Sequence, residues 1–460
     1  MSNSTEKEKR EKARIVALAR SYARNFHPLH NFDQEDTNFK EGDRINYAGR
    51  VYDDDEIASL VEVALEFWLT TGHFARDFER SLAKIVGVGS AFFCSSGSAA
   101  NLLAVSALTS PLLGDRQLKR GDEVITVAAG FPTTVFPIIQ NGAIPVFVDI
   151  TLPTYNIDVT QLENAITHKS KAVILAHTLG NPFDIASIKA FCKKYNLWLI
   201  EDNCDALGSE YTLDGKTGLT GSFGDLSTLS FYPPHHITTG EGGAVLTNDP
   251  LLAKIVLSFR DWGRDCVCPS GKDNICGRRF DGGEGAYGEL PAGFDHKYVY
   301  SHIGYNFQST DLSAAIGVAQ LKKLPQNVAA RRKNFERLFC ALKPLEDKGA
   351  ILLPQASANS NPSWFGFPIA LAEKSRVSRL EIVRFLEDRG VQTRLLFAGN
   401  IVRQPAFVTS GGQKLVDFRV AGDLRNSDRV MNDVFWIGVY PRIGAAQCEY
   451  MARLITQALS

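Results

Sequence analysis

No apolar run in this chain approaches the roughly 20 residues needed to cross a bilayer, which excludes a membrane-spanning helix. Neither sign of charge is in excess, since 50 Lys and Arg stand against 51 Asp and Glu. A chain so balanced carries no electrostatic footprint for nucleic acid or an anionic membrane surface. The N-terminal stretch lacks the apolar core of a secretory signal, because Lys7, Lys9, Arg10, Lys12 and Arg14 are interleaved with Glu6, Glu8 and Glu11. A cytoplasmic location is therefore expected. The same stretch predicts a solvated amphipathic helix with Ile15, Val16, Leu18 and Ala19 on its apolar side. Internal repeats and low-complexity tracts are also missing. What remains is an ordinary globular composition, 44% hydrophobic and 22% charged over 460 residues, enough for two domains with a sizeable core.

Short apolar stretches alternate with helical patterns. Strands are predicted at Ala91–Cys94, Glu123–Val127, Pro145–Val148, Ala172–Leu175, Leu197–Ile200, Leu226–Phe231 and Ala244–Leu246, and a short strand or turn at Arg50–Tyr52. Helices are predicted through Glu56–Leu60, Ala99–Val105 and Asp184–Tyr195. This alternation argues for an α/β protein with a mostly parallel central sheet covered on both faces. A long helix is expected after Thr310, through Arg331, Arg332 and Arg337, followed by a smaller C-terminal α+β unit. The expected organisation is an N-terminal helical extension at 1–45, a large domain at 46–324 that includes a cysteine loop at 264–280, and a small domain at 325–460. Polar residues fall just after the strands, at Ser95 to Ser98, His177, Asp202 and His235, with Phe131 placed in the same way. In parallel sheets such carboxyl-end positions converge on one edge, where ligands bind.

The stretch around which the chain is organised is Ser230-Phe231-Tyr232-Pro233-Pro234-His235-His236-Ile237-Thr238-Thr239-Gly240-Glu241-Gly242-Gly243. It reads as a strand end, a Pro-stiffened turn, a histidine pair and a Gly-rich loop. Gly97-Ser98-Ala99 lies where a strand gives way to a helix, and free backbone N–H groups there suit a phosphate; an ordinary capped helix has the same pattern. Asp202, at a strand end, suits a helix cap, a metal or a cationic ring. Phe131 alone reads as core, and His235 alone as a hydrogen-bonded surface histidine.

Eight cysteines in a cytoplasmic chain are not expected to pair as structural disulfides. Cys94, Cys192, Cys340 and Cys448 lie in apolar or helical surroundings and read as buried small hydrophobes. Cys266-x-Cys268, with Cys276 after seven further residues, matches no common ferredoxin spacing, and a structural zinc is an equal rival. Cys204 shifts the balance. It follows Asp202 by two residues, so in an extended segment the two side chains share a face about 6–7 Å apart. Thiolates gathered beside a cofactor ring suggest electron delivery.

The organising stretch resembles the Ser-Phe-x-x-x-Lys-x-x-x-x-Gly-Glu-Gly-Gly run of the DegT/DnrJ/EryC1/StrS sugar aminotransferases, whose lysine holds pyridoxal phosphate. His235 stands at that lysine. With Arg260-Asp261-Trp262-Gly263-Arg264-Asp265-Cys266-x-Cys268-Pro269-Ser270-Gly271-Lys272-Asp273 and Asp295-His296-Lys297-Tyr298, the chain from about Asn46 to Tyr440 resembles the CDP-4-keto-6-deoxyglucose 3-dehydrase branch of that superfamily. The Lys-to-His exchange is shared with a cluster-free dehydratase acting on a GDP-linked sugar, but the cysteine set is not. Asp205, where aminotransferases carry Gln or His, departs from the wider pattern and gains no role from the resemblance.

The resemblance implies an aspartate aminotransferase-like (PLP-transferase type I) fold and untethered pyridoxamine 5'-phosphate. Asp202 would pair with the ring nitrogen and Phe131 would lie over the ring. Gly97, Ser98, Ala99 and Ser230 would hold the phosphate, with Asn306 reaching it from the neighbouring subunit of a homodimer. His235 would take a proton from the cofactor C4′ carbon as the C3 hydroxyl of a nucleotide-linked 4-keto-6-deoxyhexose leaves; His236 is an alternative base or substrate contact. Electrons would arrive singly through a 2Fe–2S cluster on Cys204, Cys266, Cys268 and Cys276, from an NAD(P)H-dependent flavin iron–sulfur reductase. Arg403 is a candidate for the substrate diphosphate and equally a plain surface arginine. The implied setting is 3,6-dideoxysugar and O-antigen biosynthesis. A TDP-linked ketosugar, an aminotransferase using another lysine such as Lys297, and a non-catalytic zinc-stabilised scaffold are the rival readings.

Overall fold

The computed structural model describes residues 5–32, 38–269, 271–275 and 277–459. Its centre is an eight-stranded sheet in the spatial order Ser90–Cys94, Gly243–Thr247, Leu226–Ser230, Trp198–Asp202, Ser170–Ala176, Glu123–Val127, Ile144–Val148 and Arg419–Val420. Every neighbouring pair is parallel except the two made by Gly243–Thr247, which runs antiparallel to both of its neighbours. The strands expected from sequence are present, whereas 50–52 has no regular structure.

Successive residues along these strands supply opposite cores, which is why they read as unbroken apolar runs. Val124, Ile174 and Ile200 pack with Leu103 of helix Gly97–Ala107 and Ile255 of helix Pro250–Arg260. Their neighbours Ile125, Val173 and Leu199 face the other way, toward Ile188 and Phe191 of helix Ile185–Tyr195. A mostly parallel α/β sheet is thus confirmed.

A smaller antiparallel sheet in the order Ile351–Leu352, Gly366–Leu371, Val434–Gly438 and Thr393–Leu395 packs its Phe367, Ile369, Phe435 and Ile437 with Leu338 and Leu342 of helix Asp311–Asp347. That helix is 37 residues long and continuous through Leu324, where a domain boundary was expected. Ile45 joins the small unit by a parallel bridge to Val391.

The first helix, Glu6–Phe26, is exposed along most of its length, as expected, and is fastened to a neighbouring helix by ion pairs. Lys12 reaches Glu62 and Glu66, while Arg20 and Arg24 reach Asp54 of helix Asp54–Glu66. Ile15 and Leu18, expected on its apolar side, are exposed. Cys94, Cys192 and Cys448 are buried as expected, but Cys340 is exposed, its thiol beside Glu336 one helical turn away. No helix among the described residues is long and apolar enough to cross a membrane.

Candidate active site

The carboxyl ends of strands Ser170–Ala176, Trp198–Asp202 and Leu226–Ser230 open onto a cavity of about 500 Å³ whose far wall comes from the small unit through Phe365, Arg394, Phe397 and Trp436. Gly97, Ser98, Phe131, Asp202, Cys204, Asp205, Ser230 and His235 all line it. These strand-end residues converge as the parallel topology requires, whereas His177, expected with them, is buried outside the cavity with its Nε2 2.9 Å from Glu201 Oε2. Among the described residues no lysine lines it. Lys297, the rival tether, is paired with Asp273 outside it.

Each wall of the cavity has a local cause. Ser96 caps helix Gly97–Ala107, its hydroxyl accepting from the Ala99 amide at 3.0 Å. A Cβ on Gly97 would lie 2.4 Å from that of Ser230, so the close approach of the helix start to the strand end requires glycine there. Phe131 precedes helix Pro132–Gln140, is 47% exposed, and meets Phe397 edge-to-face at 5.8 Å. It is a wall of the cavity and not core.

Asp202 is the most constrained group in the site. Its Oδ2 accepts from Asn101 Nδ2 at 2.8 Å and Thr134 Oγ1 at 2.7 Å, and its Oδ1 accepts from the Cys204 amide at 3.2 Å. Thr228 donates to Asn101 Oδ1 at 2.6 Å, which fixes the Asn101 amide with Nδ2 toward the carboxylate. A buried carboxylate oriented by neutral donors is positioned to meet a cationic group in the cavity. Sequence reasoning missed Asn101 and Thr134. A signal for Asn101 existed, since it is a polar residue inside the apolar run Ala99 to Val105.

His235 and His236 separate cleanly. The His236 Nε2–H donates to the Ser363 carbonyl at 2.8 Å, and its ring is buried away from the cavity. His235 lines the cavity, its ring 5.2 Å from that of Phe365. Burial, with Arg331 as the second cause, pushes the His235 imidazole down to about 3, so at neutral pH it is the unprotonated form a base needs. Its Nδ1 lies 3.4 Å from Asp205 Oδ1 but outside hydrogen-bond geometry. Burial, and then the Asp202 charge, pushes the Asp205 carboxyl up to about 8 against the opposing pull of Arg331.

Arg331 sits behind this pair, 1% exposed. Its guanidinium donates to the carbonyls of Trp364, Phe365, Pro234 and His235 at 3.0–3.3 Å. It clamps the histidine turn to the small unit's wall. Sequence reasoning had placed Arg331 on a helix and seen no further role.

The Asp205 shift sets a pH dependence with a definite sign. Its folded pKa is above the unfolded value of 3.8, so its contribution to stability is fully present below that value and is lost as pH rises through about 8. Asp205→Asn removes the loss. The melting temperature of the ligand-free variant, minus that of the unaltered protein, should grow by about 2 °C or more between pH 5 and pH 9. A difference flat with pH would mean that Asp205 ionises normally.

The remaining expected residues fall elsewhere. Asn306 is exposed and outside the cavity. Arg403 is also outside, its guanidinium fastened to Asp428 in a separate depression, while Arg394 reaches the cavity instead. Cys204 lines the cavity with its thiol pushed well up, by burial and then by the Asp202 charge. Cys266 and Cys268 lie on the irregular loop, the Cys268 amide donating to Cys266 Sγ at 3.5 Å. Cys276 is outside the described residues. Among the described residues no three His, Cys, Asp or Glu side chains gather to hold a metal ion. The expected four-thiol set is therefore not assembled by them, and the described thiols alone do not fit a cluster.

The model of the DegT/DnrJ/EryC1/StrS aminotransferase family matches residues 51–456, and the chain belongs to that family. It is 54% identical over 404 residues to the lipopolysaccharide biosynthesis protein RfbH of Salmonella typhimurium, covering 88% of this chain and 89% of that one. It is 48% identical to the dTDP-4-dehydro-2,6-dideoxy-D-glucose 3-dehydratase of Saccharopolyspora spinosa, covering 97% and 92%. Among solved structures, Escherichia coli GDP-4-keto-6-deoxy-D-mannose-3-dehydratase with bound hydrated PLP superimposes with a TM-score of 0.76 at 28% identity, covering 89% of this chain and 98% of that one. The aminotransferase-like fold is thereby established.

Proposed function

We propose that this protein is a pyridoxamine phosphate-dependent 3-dehydratase of a nucleotide-linked 4-keto-6-deoxyhexose, serving deoxysugar biosynthesis. The observation that carries the reading is His235 at the tethering position, in a cavity that no described lysine lines. A lysine there would tether the aldehyde form of the cofactor; imidazole forms no stable bond of that kind and leaves the amine form free to act. The relatives named 3-dehydratases support the same chemistry.

The residues present fit the cofactor. Asp202 would hold its ring nitrogen protonated, Phe131 would cover the ring, and Gly97 and Ser98 with Ser230 would take its phosphate, the Ala99 amide being committed to the Ser96 cap. When bound, the group supplies an amine for the sugar ketone and an electron sink. His235 accepts a proton within the cavity at a ring nitrogen. Burial, aided by Arg331, keeps that ring neutral, Arg331 holds its backbone in place, and Asp205 faces its Nδ1 as a neutral acid. Phe365, Phe397 and Trp436 exclude water.

The finer reading is a CDP-linked substrate and a 2Fe–2S cluster on Cys204, Cys266, Cys268 and Cys276, reduced by a flavin iron–sulfur reductase. Its support is the Cys-x-Cys pair with its N–H···S contact and the place of Cys204 in the cavity wall. No step is derived through the cluster. A TDP-linked substrate is the second reading, favoured by the 48% identity to the Saccharopolyspora enzyme. Asn306, exposed in one chain, fits a homodimer in which it reaches the other site.

Iron and acid-labile sulfide, measured on protein purified without oxygen, test the cluster. About two of each per chain, with the visible absorption of such a centre, is the expected result. Zinc, or no metal in folded protein, would leave a cluster-free dehydratase. Borohydride trapping of pyridoxal phosphate on a lysine would overturn the dehydratase reading itself.

A further inference from the structure

A second cavity, about 440 Å³ in volume, lies between the chain segments 44–52 and 440–447 and shares no lining residue with the cavity at His235. Arg44, Arg50 and Arg442 line it, together with Asn46, Tyr52 and Tyr440. No Asp or Glu does, among the described residues. We propose that Arg44, Arg50 and Arg442 form a binding site for the diphosphate group of a nucleoside diphosphate.

Three arginines lining one concavity bring positive charge to it, and no carboxylate among its described lining residues offsets that charge. Several other arginines are met by carboxylates: Arg279 by Asp295, Arg403 by Asp428, Arg419 by Glu123, Arg453 by Glu41. Among the described residues, none of the three cavity arginines has such a partner. Arg44 donates to the neutral Asn46 side chain at 3.2 Å, and Arg442 to the Pro28 carbonyl at 3.2 Å. Asp43, adjacent in sequence to Arg44, turns its carboxylate to the Lys40 amide at 2.8 Å. The field is felt nearby, since Arg442 adds to burial in pushing the His30 imidazole down to about 4.

The cavity is built rather than incidental. Tyr440 is 7% exposed and forms its floor. A Cβ on Gly49 would lie 3.2 Å from the Tyr440 ring, so glycine lets the 44–52 segment lie flat on it and brings Arg50 over the floor. Planar guanidinium forks match phosphate oxygens two at a time. Three of them balance a diphosphate better than a single carboxylate, and a cavity of this size admits a ligand larger than a bare ion. Tyr52 supplies an aromatic face for a base or sugar ring.

Calorimetric titration of pyrophosphate, CDP and TDP into the full-length protein tests the site. Saturable binding at or below about 1 mM, weakening with added salt, is expected. Arg50→Ala and Arg442→Ala should each weaken it about tenfold, and the double variant should remove it. Absorbance of bound pyridoxamine phosphate should stay unchanged in all three. Should Arg442→Ala fail to fold, Arg442→Lys keeps the charge, loses the fork and should give an intermediate loss.

Repeating the CDP titration with the His235 cavity saturated by a nucleotide-linked sugar identifies the source of the diphosphate. Lost CDP binding means that the substrate's own diphosphate occupies the site; retained binding means a separately bound nucleotide. Absence of binding to the unaltered protein, or unchanged affinity in the double variant, overturns the proposal. Binding is read without turnover, so its failure leaves the dehydratase reading untouched.

Discussion

Replacing His235 with asparagine should lower the rate of C3 deoxygenation by about 10³-fold while changing the affinity for pyridoxamine phosphate by no more than about twofold, because the loss is that of a general base and not of a binding group. Asparagine is smaller but polar and fits within the space of the imidazole, and the backbone carbonyl held by Arg331 is unaffected. The informative readout is single-turnover proton exchange at the cofactor C4′ carbon, which should fall with the rate. His236 is not placed to substitute, since its Nε2–H is committed to the Ser363 carbonyl and its ring lies outside the cavity. Turnover retained within tenfold would move the base to another group.

Asp202→Ala should weaken cofactor binding about 100-fold, the cost of truncating a buried, hydrogen-bonded charge. The substitution does two things at once. It removes the carboxylate that would face the ring nitrogen, and it orphans Asn101 Nδ2 and Thr134 Oγ1, both buried donors. Equilibrium dialysis of pyridoxamine phosphate measures the first effect and the melting temperature of ligand-free protein the second. A large drop in melting temperature with unchanged cofactor affinity would make Asp202 a structural residue, and the ring would need another partner.

The two substitutions probe parts of the site that differ in how far the sequence could reveal them. Asp202, Ser230 and His235 follow strands buried on both faces, and such strands announce themselves as apolar runs ending in polar residues. Their convergence follows from parallel topology, so it was legible before any coordinates. The separation of His235 from His236 was legible only by register; the geometry adds the Ser363 contact that turns one ring away. Asn101, Thr134 and Arg331 act across 101, 68 and 97 residues of chain, respectively. No local pattern encodes a partner at that distance. Arg403 shows the reverse failure, because a basic residue near a suggestive motif is drawn off by Asp428, which lies 25 residues farther along the chain. Cys340 failed for a simpler reason: a helix has a wet side, and residue type alone did not tell which side it faced.

The 37-residue helix Asp311–Asp347 has a bearing on how the molecule moves. At about 55 Å, it touches the histidine turn through Asn327 and Arg331 and fills the small sheet's core with Leu338 and Leu342. Such a rod transmits displacement along its length instead of absorbing it. Any rocking of the small sheet as a substrate enters would be carried straight to the peptide that bears His235, so opening the cavity and repositioning His235 become one motion. Severing the chain near Leu324 should give two pieces that are insoluble when expressed alone and regain a folded signature only when expressed together.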